Sequence, residues 1–151
     1  MNFLLLLIVA ITVFCCSDSP TSPTISGGGL SSTILQTDSL GNILGGDSTD
    51  WCQNGNSCYT FYPAFPNPTT DVTHLYFNIH SNDTISLFAV NSQFDTVFVC
   101  NNQILSAGSY MMDVSGVEHN FHNVVKRFYF ISKKSCGNSP DCKNYGDIQF
   151  N

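Results

Sequence analysis

Positive charge is what this sequence has least of. Five Lys/Arg stand against eleven Asp/Glu, giving a net charge of −6, and only 11% of the 151 residues are charged, where a soluble protein averages roughly 25%. All five cations fall between Lys126 and Lys143, so residues 1–125 carry −9 and residues 126–151 carry +3. Nucleic-acid recognition needs clustered cations to neutralise phosphates, so no nucleic-acid partner is expected. Long apolar runs are scarce too. The longest, Leu4 to Cys16 with Thr12 as its one polar interruption, would span roughly 20 Å as a helix against a hydrocarbon core of roughly 30 Å. No stretch of about ten residues repeats an apolar i, i+3, i+4 stripe, so helices are not expected in the folded part. Neither a Gly-x-Ser-x-Gly elbow nor a phosphate-cradling loop ahead of a helix occurs, and Gly27-Gly28-Gly29 sits among Ser, Thr and Pro. The chain is therefore read as non-catalytic and without a cofactor.

What is present comes in three textures. Residues 1–16 have the shape of a secretory signal: a short apolar run followed at once by Ser17-Asp18-Ser19-Pro20, with no basic stop-transfer residues. Residues 17–50 are rich in Ser, Thr, Gly and Pro, including Ser19 to Thr24 (Ser-Pro-Thr-Ser-Pro-Thr) and Gly45-Gly46. Such a stretch buries too little to offset the entropy of ordering it, so a disordered tether is expected. Leu30, Ile34, Leu35, Leu40, Ile43 and Leu44 leave open a short strand or docking onto the domain.

From Trp51 to Asn151 short apolar runs alternate with turn residues. Thr73 to His80 places Leu75, Phe77 and Ile79 on one face and His74, Tyr76, Asn78 and His80 on the other, the period-two pattern of a half-buried strand. Further strands are predicted over Ile85–Val90, Thr96–Cys100, Gln103–Leu105, Ser109–Val114, Val124–Ile131 and Tyr145–Phe150, with a hairpin turn at Asn101-Asn102. Pro63, Pro66 and Pro68 precede these runs, where they break no ladder. About seven short strands in roughly 100 residues predict an all-β fold, an antiparallel Ig-like β-sandwich.

Two motifs carry resemblances. Val13-Phe14-Cys15-Cys16 resembles the lipobox of bacterial lipoproteins. The resemblance implies that Cys16 carries lipid, which would anchor a chain lacking a membrane-spanning helix. Tyr62 to Thr70, Tyr-Pro-Ala-Phe-Pro-Asn-Pro-Thr-Thr, matches six of nine positions of the "YPNPFNPTT" opening of a known group of modules. It resembles Ig-like domains related to the type IX secretion sorting tail and to the flagellar hook-cap protein. Ile85–Val90, Leu105 to Tyr110, Arg127–Ile131 and Tyr145–Phe150 follow in the order of that family, so the resemblance covers about Thr60 to Phe150. It implies a sandwich fold. A sorting role is weakened because only a tether and the lipobox-like end precede the domain here, where sorting tails follow large cargo.

Seven cysteines suggest an oxidising compartment. Cys52-x5-Cys58 and Cys136-x5-Cys142 share one spacing at the two ends of the domain. Each can close a local loop, stabilising by about 2 kcal/mol, or the four can pair across the segments and staple the ends together. A thiolate metal site is disfavoured, since zinc pairs prefer shorter spacing. Cys100 is read as a buried free thiol. His119-x2-His122, with His74 and His80, are read as solvated side chains, and no metal is expected. Lys126-Arg127 and Lys133-Lys134 are read as a solvated sheet edge. Together these readings describe an exported, lipid-anchored protein of the bacterial cell envelope. It would act as a structural or protein-interaction module toward an envelope or surface protein, with a small enzyme or metal-binding protein as the remote alternative.

Overall fold

The computed structural model describes residues 34–90, 96–136 and 142–151. Among them the fold is all-β and antiparallel, with no helix. Nine strands form three sheets: β1 (Leu35–Thr37), β2 (Ile43–Gly46), β3 (Tyr59–Phe61), β4 (Val72–Ile79), β5 (Asp83–Val90), β6 (Thr96–Leu105), β7 (Gly108–Ser115), β8 (Val124–Ser132) and β9 (Tyr145–Phe150). A three-stranded sheet, β3-β4-β7, faces a four-stranded sheet, β6-β5-β8-β9, and β1-β2 forms a separate hairpin. The seven strands of the two facing sheets are the expected Ig-like sandwich.

The period-two pattern explains the core. In β4 Leu75, Phe77 and Ile79 are buried, as are Ile85, Leu87 and Ala89 in β5, Phe128 and Phe130 in β8, and Ile148 and Phe150 in β9. Side chains from both sheets meet at Phe130, whose ring centroid lies 4.5 Å from that of Tyr59, 5.1 Å from Phe61 and 5.0 Å from Phe77. Burying each such side chain contributes roughly 1.5–3 kcal/mol. Trp51 extends the core at the open end of β3, with its ring 4.9 Å from that of Phe61. Its other side lies over Gly146, where any Cβ would collide with the indole. Trp51 itself holds a left-handed φ of 68°. The conformation is fixed by its amide donating to the Tyr145 carbonyl (2.8 Å) and its carbonyl accepting from the Lys143 amide (3.0 Å).

Three sequence expectations are corrected. The tether expected over residues 17–50 is folded in its described part: residues 35–46 form the β1–β2 hairpin, with Ile34 and Leu35 buried. The anchor is Asn67, fully buried, whose Nδ2 donates to the carbonyls of Leu35 and Asp147 (2.9 Å each) while its Oδ1 accepts from the Gln149 amide (3.0 Å). Asn101-Asn102 is not a hairpin turn. The two strands expected around it are one strand, β6, and Asn102 takes a left-handed φ of 48° inside it. Relative to β5 the register slips between Ile85 and Leu87 and again between Leu87 and Phe88. The extra β6 residues are absorbed as bulges, which Asn tolerates better than a β-branched residue. Lastly, Lys126 and Arg127, in the stretch of β8 that pairs with β9, are not freely solvated: Lys126 lies over the Phe121 ring and Arg127 is bound to Asp147.

Candidate functional site

The outer face of the four-stranded sheet carries a row of aromatic side chains. In β5 the inward slots hold Ile85, Leu87 and Ala89, which leaves Ser86, Phe88 and Val90 pointing outward. Pairing then aligns one aromatic from every strand: Phe88 is opposite Phe98 of β6 and Tyr129 of β8, and Tyr129 is opposite Tyr145 of β9. Successive ring centroids are 5.6, 5.6 and 6.3 Å apart, so the four rings form an unbroken row across the sheet. Phe98 remains 44% exposed, and Ile104 and Ile131 on the same face are 82% and 38% exposed. Isolated exposed apolar side chains are ordinary, but a contiguous group of them marks a contact surface.

The row ends in a cation. The Arg127 guanidinium lies 4.2 Å from the Tyr145 ring centroid and grips Asp147 with two hydrogen bonds of 2.8 Å, from Nε to Oδ1 and from Nη2 to Oδ2. The bond to Asp147 is the main reason that the guanidinium is held still more firmly in its charged form. The pair neutralises itself, and Ser86, which accepts from the Asn102 amide, adds polar groups to the same face.

A second feature lies at the stapled end of the sandwich. Cys52 pairs with Cys142 and Cys58 with Cys136, linking positions 90 and 78 residues apart. Of the arrangements left open by the spacing, the structure selects pairing across the two segments; neither local loop forms. Next to the first bridge is a cleft of about 500 Å³, walled by Ser48 to Trp51 and by Gln53, Asn54 and Lys143. Asp50 is only 6% exposed, and its Oδ2 and the Trp51 Nε1 have no hydrogen-bond partner among the described residues. Burial, reinforced by the nearby Asp147 charge, pushes the Asp50 carboxyl up to about 6.

The other sequence candidates are dispersed. Cys100 is buried in β6 as a free thiol, and burial pushes its pKa up, away from the reactive thiolate. His74 Nδ1 lies 2.7 Å from Asp113 on the outside of the other sheet, and His80 Nε2 is 3.3 Å from the Thr60 hydroxyl. No carboxylate is bonded to the His80 ring among the described residues, so the Thr60–His80 pair lacks the third group of a catalytic triad. His119 packs against Phe121, and no group of three metal-ligating side chains occurs among the described residues. Lys126 sits over the Phe121 ring, and Lys134 Nζ donates to the Ser81 hydroxyl. Cys16, with the signal segment expected over residues 1–16, lies outside the described residues.

The opening motif Tyr62–Thr70 is a structural joint. Besides the Asn67 bonds, the Thr69 hydroxyl donates to the Val72 carbonyl and the Thr73 hydroxyl to that of Pro66. The amide of Thr69 donates to the Gln149 carbonyl and the amide of Asn151 to that of Thr69, carrying the chain from one sheet to the edge of the other. Sequence reading singled out none of the four row aromatics as functional. Phe88 and Tyr129 in outward slots of their strands were the available signal. No protein-family model, characterised protein or solved structure matches this chain.

Proposed function

We propose that this chain is an exported, lipid-anchored cell-envelope protein whose Ig-like sandwich is a non-catalytic interaction module. The observation that carries the reading is the open aromatic row on the outer face of the four-stranded sheet. Desolvating such a row against a partner would release free energy in proportion to the apolar area covered. Two long-range disulfides support an oxidising, non-cytoplasmic location, and the lipobox-like residues Val13 to Cys16 support anchoring through Cys16. The sorting role suggested by the resemblance of Tyr62–Thr70 is the competing reading. Export of a periplasmic reporter fused to residues 60–151 by the type IX pathway would favour it.

Two measurements test the proposal. Intact mass of protein extracted from envelope membranes is expected to show an N-terminus at Cys16 bearing acyl mass, and a mature N-terminus without it overturns the anchoring. Chemical crosslinking in intact envelopes is expected to give adducts that disappear in a Phe88→Ser/Tyr129→Ser variant retaining its fold by circular dichroism. Adducts unchanged by that variant would overturn the assignment of the face.

A further inference from the structure

We propose that the edge of β7 is a second docking site, which takes an extended segment of another protein as a fourth strand of the β3-β4-β7 sheet. This edge lies on the other sheet from the aromatic row and is independent of it. The two facing sheets have as their edges β3, β7, β6 and β9. Backbone groups are obligatory hydrogen-bonders, and the chain itself satisfies those of β3 and β9. On β3 the outward groups of Phe61 exchange bonds of 2.9 and 3.1 Å with Cys52. The Tyr59 carbonyl accepts from the Asn56 amide (2.8 Å), and its amide donates to Asn56 Oδ1 (2.9 Å). On β9 the Tyr145 carbonyl accepts from the Trp51 amide and that of Asp147 from Asn67 Nδ2. The Gln149 amide donates to Asn67 Oδ1 while its carbonyl accepts from the Thr69 amide. β6 slips register twice against β5, which spoils it as a template for an incoming strand.

β7 has none of these devices. It pairs with β4 in unbroken register, from Ser115 opposite Val72 to Gly108 opposite Ile79. One step beyond that ladder the Gly116 amide donates to the Asp71 carbonyl (2.7 Å). Antiparallel bonding alternates along a strand, so Val114, Met112 and Tyr110 bond to β4. Asp113, Met111 and Ser109 then turn their N–H and C=O groups away from it. Bonds on the far side of β4 agree, since Tyr76 accepts from Tyr62 and His74 exchanges two bonds with Phe65. Among the described residues no backbone group meets Ser109, Met111 or Asp113 on the open side. The strand reads Gly-Ser-Tyr-Met-Met-Asp-Val-Ser, without the Pro or Lys that ordinarily blunts an edge.

A straight row of alternating donors and acceptors is matched by one kind of ligand, an extended backbone. The side chains of β7 define its sequence. Inward, Tyr110, its ring stacked on Phe77 at 5.6 Å, and Met112 are only half-buried. An added strand would complete their burial with apolar side chains at alternate positions. Outward, the Asp113 side chain is 66% exposed and meets His74 through Oδ1, so a basic residue fits opposite it. A second copy carries no cation on its own β7, and its net charge of −6 repeats that of this chain instead of complementing it.

The test is amide hydrogen exchange of the full chain, read residue by residue by NMR. The probe is the end-capped peptide Lys-Val-Thr-Val-Thr, which sets Lys opposite Asp113 when antiparallel, and versions with Ile, Leu or Phe at both Val positions. Alone, the chain should exchange Ser109, Met111 and Asp113 fast and Tyr110 and Met112 slowly. Peptide at millimolar concentration should slow the first three about tenfold or more. N-methylation of the Lys and both Thr removes the donors facing β7 and should abolish the protection, whereas N-methylation of both Val should not. Asp113→Asn should weaken the effect about threefold. No protection by any of the peptides overturns the proposal, as does protection that survives methylation of the facing donors. An unchanged effect in Asp113→Asn overturns the basic residue and leaves strand addition standing. Slow exchange of the three amides without peptide also overturns the proposal. If it grows with protein concentration the edge belongs to a second copy, and if it does not, to a segment of this same chain. None of these outcomes bears on the Phe88/Tyr129 adducts that test the aromatic face.

Discussion

Nesting of the two disulfides makes their contributions interdependent, and that can be measured. Cys58–Cys136 lies inside the loop closed by Cys52–Cys142, with separations of 78 and 90 residues. Either bridge alone removes the entropy of a long loop from the unfolded chain, about 4.5 kcal/mol in the chain-entropy account. Once one is in place, the other closes only a ring of about 14 residues running through the first, which adds about 3 kcal/mol. The pair together contributes about 7.5 kcal/mol. Removing either bridge alone should therefore cost about 3 kcal/mol, and removing both should cost more than the sum of the two losses by about 1.5 kcal/mol. Local bridges, Cys52–Cys58 and Cys136–Cys142, would behave differently. Each would contribute about 2 kcal/mol, and the losses would add.

The assay is urea unfolding of the parent and three variants: Cys52→Ala/Cys142→Ala, Cys58→Ala/Cys136→Ala, and all four together. The small volume lost at each buried cysteine is additive and cancels in the cycle. The slope of stability against urea gives a second readout. Either single bridge still holds the unfolded chain in a long loop, so the slope should rise mainly in the fourfold variant. A loss of about 4 kcal/mol in either double variant that the fourfold variant does not increase would refute the nested arrangement, because each double variant would break both local bridges. Since small domains are stable by about 5–15 kcal/mol in all, the fourfold variant should sit at the edge of folding.

Asp50 predicts a pH dependence of the opposite sign to a salt-bridged carboxylate. Its folded pKa of about 6 exceeds the ordinary 3.8, so below about pH 4 it is protonated in both states and costs nothing, and above about pH 6 the folded state bears the full penalty. Asp50→Asn should thus stabilise by about 3 kcal/mol at pH 7.5, with the gain vanishing by about pH 4, measured by urea midpoints across that range; a gain independent of pH would refute it. Asn67→Ala should cost about 3 kcal/mol by stranding the Leu35 and Asp147 carbonyls and the Gln149 amide. Hydrogen exchange should then accelerate in β1 and β9 first, and uniform acceleration would contradict the clamp.

How much of this was legible in the sequence depended on distance along the chain. β4, β5, β8 and β9 were readable because their burial alternates residue by residue, a signal contained within each strand. The β1–β2 hairpin was hidden because its composition is that of a linker. Its order comes from Asn67, some 30 residues downstream, which no local pattern reports. The bridges were readable as cysteines but not as pairs, since identical spacing suits local and crossed pairing equally. Asn101-Asn102 was misread because the same tolerance of left-handed backbone serves a turn and a bulge.

The aromatic row was hidden for the same reason as the pairing of the bridges: it exists only through register. Phe88, Phe98, Tyr129 and Tyr145 are unremarkable singly, and only the alignments of β5 with β6 and β8, and of β8 with β9, bring them into line. β6 contributes Phe98 from the regular stretch that pairs Thr96, Val97 and Phe98 with Val90, Ala89 and Phe88, before the first slip. Beyond it the bulges bend the strand and interrupt the ladder that an incoming strand would need. One strand thus closes the edge of the sheet to pairing and completes the row on its face. A surface selected only for solubility would need the first device and not the second. On the interaction-module reading proposed above, a partner would approach the face of this sheet rather than its β6 edge.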